Sequence, residues 1–137
     1  MSSDAQGGSP AVAPVVLLVE DHETSAAGYT QLLTGAGYRV ARAGNGYEAL
    51  AEVSREMPSL ILLDLKLPKL DGWDVLQRLK ADASVAAVPI IVVTGDALPT
   101  HHEMARSRGA VAVLSKPINP GELLTVVRGV LSEPSLH

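Results

Sequence analysis

The 137-residue chain has no cysteine and no phenylalanine, and aromatic side chains make up 3% of it. Without Cys there is no disulfide framework, thiolate metal centre or Cys nucleophile, and the composition fits a reducing compartment. So few aromatics argue against a platform for stacked bases. Positive charge is also scarce. Lys and Arg number 11 against 15 Asp and Glu, for a net charge of −4, which speaks against a broad basic face for nucleic acid. The longest apolar run, Ala11 to Val19, ends at Glu20. It is far short of the ~20 residues of a membrane-spanning helix. The start, Met1-Ser2-Ser3-Asp4, has no cationic region ahead of that run and is a poor secretory signal. A soluble cytoplasmic domain with no membrane partner is the expectation.

Hydrophobic residues make up 47% of the chain, enough for one core and one domain. Residues 1–13, rich in Ser, Gly, Ala and Pro, read as a flexible tail. The domain is expected over 14–132, with a short tail at 133–137. Within it, apolar runs of strand length alternate with helical patterns. The runs are Val15–Glu20, Tyr38–Ala43, Leu60–Asp64, Ile90–Thr94 and Val111–Ser115. The first, third and fourth are nearly continuous Val, Ile and Leu, as in strands of a parallel sheet covered on both faces. Ala26, Tyr29, Leu33 and Ala36 recur at helical spacing, and Gly35 or Gly37 can end that helix. Asn45-Gly46-Tyr47-Glu48 and Thr100-His101-His102-Glu103 read as capping boxes. Asp71 and Asn119 read as caps of the third and fifth helices, with Pro120 at the first helical position of the fifth. The order is β-α five times, an α/β fold with an open parallel sheet between helix layers.

In such a sheet, ligands bind beyond the carboxyl ends of the strands. The first strand ends in Glu20-Asp21, the third in Asp64, the fourth in Thr94-Gly95, and Ser115-Lys116-Pro117 follows the fifth. Three carboxylates, a hydroxyl and an ammonium therefore meet at one edge. The second strand ends in Ala43-Gly44 and brings nothing. Unneutralised carboxylates this close raise one another's pKa. A hard divalent cation such as Mg²⁺ (or Mn²⁺) resolves that and leaves room for a phosphoryl group. An aspartate can attack phosphorus to give an acyl phosphate.

These residues resemble a two-component response-regulator receiver domain, over about Val15 to Leu131. Glu20-Asp21, the run Asp64-Leu65-Lys66-Leu67-Pro68-Lys69-Leu70-Asp71-Gly72, Thr94-Gly95 and Lys116-Pro117 carry the likeness. The resemblance implies a flavodoxin-like fold with strand order 2-1-3-4-5. It implies that Asp64 is the phosphoacceptor and a metal ligand. Asp21 would bind the metal directly, Glu20 through water, and Lys66 through its backbone carbonyl. Thr94 and Lys116 would contact the phosphoryl group, with the Lys116-Pro117 bond often cis. The phosphoryl donor would be a histidine kinase or phosphotransfer protein. Beyond its own aspartyl phosphorylation and dephosphorylation, the chain would catalyse nothing. A downstream protein would be met through the fourth helix, fifth strand and fifth helix, presenting His101, Glu103, Arg106 and Arg108. No helix-turn-helix pattern follows the fifth helix, so direct DNA binding is not expected.

The sequence departs from the family where receivers commonly carry an aromatic, three residues before the lysine; here Val113 stands there. Signal transfer is then expected to reshape the Thr94–Arg106 segment. Lys66 and Asp96 are expected to pair across the mouth of the site and hinder water, lengthening the life of the phosphoryl group. His22, His101 and His102 are expected at the surface, and Trp73 in packing. Val113 also keeps open a phosphate-independent docking module. A haloacid-dehalogenase-like phosphatase would need a second Asp where Lys66 stands.

Overall fold

Leu60–Asp64 is buried at every position, as are Val15–Val19 and Ile90–Thr94. Only strands with neighbours on both edges and helices on both faces are enclosed in this way. The structure is a computed structural model, and it describes residues 13–96 and 98–132. The expected tails, apart from Ala13, lie outside the described residues. The strands are β1 (Val15–Val19), β2 (Arg39–Ala43), β3 (Leu60–Asp64), β4 (Ile90–Thr94) and β5 (Ala112–Ser115). They form one parallel sheet in the order β2-β1-β3-β4-β5. The intervening helices are α1 (Glu23–Gly35), α2 (Gly46–Arg55), α3 (Gly72–Ala81), α4 (Pro99–Ser107) and α5 (Pro120–Ser132). The fold is the flavodoxin-like (βα)5 arrangement expected from the sequence.

Alternation along the strands divides the core in two. Val16, Leu18, Leu60, Leu62, Ile91 and Val93 face α1 and α5, where Ala26, Leu33, Leu123 and Val127 meet them. Leu17, Val19, Ile61, Leu63, Ile90 and Val92 face the other layer. There Ala49 and Val53 of α2, Val75, Leu76 and Leu79 of α3, and Ala105 of α4 close over the sheet. Each fully buried Leu or Ile contributes on the order of 1.5–3 kcal/mol of transfer free energy. This double cover fixes the strands rigidly, so the residues just past their carboxyl ends are held in register.

Three of the expected helix caps form. Asn45, Asp71 and Asn119 accept hydrogen bonds through their side chains from the backbone N–H of Glu48, Asp74 and Glu122, each at 3.0 Å. The capping box expected at Thr100 does not form. α4 starts at Pro99 with Leu98 as its N-cap and no side-chain cap bond. Proline at N1 sets the entry dihedral one residue earlier, so Thr100 falls inside the first turn.

The β3–α3 connection runs directly beneath the sheet edge, and Gly72 makes it possible. Its N–H donates to the Leu65 carbonyl at 2.9 Å. A Cβ at this position would collide with the Asp64 carbonyl oxygen and the Leu65 Cα. Lys69, in the same connection, adopts the left-handed region with φ 67°. Gly72→Ala is therefore expected to displace the backbone under Asp64 and destabilise the fold by about 1–3 kcal/mol, measured as a lowered urea midpoint.

Candidate functional site

The strand order reverses between β1 and β3, and a crevice opens there at the carboxyl edge. Glu20 follows β1, Asp64 ends β3 and Thr94 ends β4. All three are buried, at 6%, 4% and 7% exposure, whereas Asp21 is exposed. Lys116 reaches in from beyond β5. Its Nζ donates to Asp64 Oδ2 at 2.7 Å and to Glu20 Oε1 at 3.1 Å. The Lys116-Pro117 bond is cis, as expected. The remaining oxygens are also held. Asp64 Oδ1 accepts from the Lys66 N–H at 2.9 Å, and Glu20 Oε2 accepts from the His22 N–H at 3.1 Å.

The electrostatics follow from this packing. Burial, together with the nearby Asp64 charge, pushes the Glu20 carboxyl above its ordinary value, although the His22 N–H and Lys116 pull against the rise. For Lys116, burial opposes the charged form. The hydrogen bonds and charges of Asp64 and Glu20 outweigh it and hold the ammonium above its ordinary pKa. Lysine thus stays charged where it faces two carboxylates.

Glu20, Asp21 and Asp64 each offer an oxygen within 4.8 Å of the others. An all-oxygen, carboxylate-rich donor set of this size suits a hard divalent cation such as Mg²⁺ and not a soft, thiolate-seeking one. Asp21 has no hydrogen-bond partner among the described residues, which leaves its carboxylate available.

A cleft of ≈ 490 Å³ adjoins this cluster, lined by Leu65, Lys66, Trp73, Thr94, Gly95, Asp96 and His101. Here the structure corrects two expectations. No ion pair joins Lys66 to Asp96 among the described residues. The Asp96 carboxylate is already taken, by the Leu98 N–H at 2.9 Å and by His101 Nδ1. His101 and His102 are half-buried and bonded to Asp96, not free at the surface; His22 is exposed as expected. His101 is thereby turned toward the cleft, while Glu103, Arg106 and Arg108 remain exposed. Trp73 packs on the core as expected and carries the Arg108 guanidinium 5.1 Å from its ring centroid. The Asp96 connections had no strong sequence signal, because Asp and His five and six residues apart across a proline match no common motif.

A family model described as the response regulator receiver domain matches residues 16–128. The polar-differentiation response regulator DivK of Brucella anthropi is 34% identical over 118 residues, 86% of this chain and 96% of that protein. The signal receiver domain of a signal transduction histidine kinase from Syntrophus aciditrophicus superposes with a TM-score of 0.83 at 29% identity, covering 91% of this chain and 95% of that one. The receiver domain of the sensor histidine kinase PA1611 from Pseudomonas aeruginosa has a magnesium ion coordinated in its active-site cleft. It superposes with a TM-score of 0.81 at 30% identity, over 89% of this chain and all of that one. The chain belongs to the response regulator receiver domain family, whose members work in two-component signalling and are generally not enzymes. Among the described residues, no helix is long and apolar enough to cross a membrane.

The hydrogen bond from the Leu98 N–H, together with His101, holds the Asp96 carboxyl below its ordinary value of 3.8. A carboxyl lowered by folding stabilises the fold while ionised. That contribution is present above about pH 4 and is lost as the pH falls through the lowered value. Asp96→Asn is therefore expected to be less stable than the wild type at pH 6, with the gap shrinking toward pH 3. Urea midpoints at the two pH values check this.

Proposed function

We propose that the unit spanning 14–132 is a phosphorylatable receiver that takes a phosphoryl group onto Asp64 from a phosphohistidine of a histidine kinase or phosphotransfer protein. The observation that carries the reading is the shared Lys116 ammonium. It bridges Asp64 and Glu20 at the point where an incoming phosphoryl group would add further negative charge. An Asp64 carboxylate oxygen attacks phosphorus, the bond from phosphorus to the donor's imidazole nitrogen breaks, and the nitrogen keeps the electron pair. Lys116 pairs with a phosphoryl oxygen, and Thr94 Oγ1 donates a hydrogen bond to another.

Asp21 and Asp64 would hold Mg²⁺ directly, with Glu20 acting through water and the Lys66 carbonyl completing the protein ligands. The ion would supply positive charge against the transferring phosphoryl oxygens. The chain's catalysis is confined to its own aspartyl phosphate. Its cytoplasmic location follows from that of its phosphodonors. A downstream protein would dock on the surface of α4, β5 and α5. A docking module indifferent to phosphate fits poorly with a complete set of acids, Thr94 and Lys116.

Acetyl phosphate with Mg²⁺ is expected to add one phosphoryl group, seen by intact mass, and Asp64→Asn to abolish it. Lys116→Ala should slow its appearance by about tenfold or more. An adduct that persists in Asp64→Asn, or none in the wild type at saturating Mg²⁺, overturns the proposal.

A further inference from the structure

The cleft beside the acidic cluster is walled by Leu65 and Lys66, which follow Asp64 directly, and by Thr94, which ends the neighbouring strand. A phosphoryl group on Asp64 would therefore stand at its inner end. His101 lines the same cleft, and its Nδ1 pairs with Asp96 Oδ2. The Leu98 N–H and His101 hold the Asp96 carboxyl below its ordinary value, so at neutral pH it is an ionised group that can only accept. Nδ1 is then the donor, and in the neutral ring Nε2 carries the lone pair. Among the described residues that nitrogen has no hydrogen-bond partner. Asp96 is itself fixed on three further sides. Its N–H donates to Thr94 Oγ1 at 3.0 Å, its Oδ1 accepts from the Leu98 N–H at 2.9 Å, and its carbonyl accepts from His102 Nε2 at 2.7 Å. A carboxylate that sets the tautomer and orientation of an imidazole beside a reacting group is the arrangement of a general base.

We infer that His101, oriented by Asp96, takes the proton from the water that hydrolyses the aspartyl phosphate and so sets the lifetime of the phosphoryl group. The inference rests on Asp64 being the phosphoacceptor. With a volume of ≈ 490 Å³ the cleft has room for the phosphoryl group and for water. The water oxygen attacks phosphorus, and the water proton passes to His101 Nε2. The bond from phosphorus to the Asp64 oxygen breaks, and the carboxylate leaves with the electron pair. Inorganic phosphate departs. The imidazolium returns its proton to solvent, to which the His101 side chain is 42% exposed. Three titratable or charged groups face the imidazole. Asp96 favours its protonated form, and Lys66, in the same cleft, disfavours it. His102, next on α4, has its Nε2 committed to the Asp96 carbonyl. Trp73 of α3 carries no charge. Asp96 is the positioning residue, and His101 is the group that meets the water. The base works only while neutral, so hydrolysis quickens as the pH rises through its titration.

The test loads the full chain from acetyl phosphate with Mg²⁺, removes the donor, and follows loss of the phosphoryl group by intact mass between pH 5 and 8, beside His101→Gln. The ratio of the two decay rates at each pH removes what pH does to the acids that both proteins share. That ratio should be near one at pH 5 and at least about tenfold at pH 8, where the wild type decays faster. The wild-type rate should rise over the same interval, a reading that needs no variant. Asp96→Asn should decay more slowly than the wild type at pH 8. A ratio that does not change with pH, the mark of a merely structural role, overturns the base and leaves Asp64 standing as phosphoacceptor. So does a wild-type rate that is flat from pH 5 to 8. Absence of any adduct on the wild type at saturating Mg²⁺ overturns the reading of Asp64 and the base with it.

Discussion

Glu20 and Asp64 can be buried side by side at a sheet edge only because Lys116 stands between them. The lysine lies 96 residues from one carboxylate and 52 from the other along the chain, yet bonds both within 3.1 Å. Removing a carboxylate from water is costly unless it is paired and hydrogen-bonded. Here both conditions are met, by one ammonium and by two backbone N–H groups. The sheet order makes the arrangement possible, since β3 lies between β1 and β4, and β5 follows β4. The two apolar layers make it rigid. Gly72 allows α3 to begin close against the backbone of Asp64 and Leu65.

The same edge divides into a charged half and a half that leads into α4. Glu20, Asp21, Asp64 and Lys116 form the first. Thr94 and Asp96 lead into the second, a helix start held by side chains from outside its own cap. The starts of α2, α3 and α5 are held by side-chain caps of their own.

Much of this was legible in the residues. Continuous Val, Ile and Leu runs at Leu60–Asp64 and Ile90–Thr94 marked the buried strands, and Asn45, Asp71 and Asn119 marked three helix starts. The convergence of Glu20, Asp21, Asp64, Thr94 and Lys116 followed from strand ends alone, and the family likeness supplied the sheet order. Thr100 misled because its capping pattern was intact while Pro99, one residue earlier, set the helix start. The Lys66–Asp96 pair failed for a different reason. Opposite charges near one site suggested a partner, but Asp96 had closer claimants in the Leu98 N–H and in His101. Local backbone geometry chose between them, and spacing in the sequence does not encode that choice.

The most direct test of the acidic cluster is a calorimetric Mg²⁺ titration of the full chain at neutral pH, beside Asp21→Asn. The account predicts a single saturable site in the wild type, weakened about tenfold or more in the variant by loss of a charged oxygen ligand. Absence of saturable binding, or equal affinity in the two proteins, would contradict it.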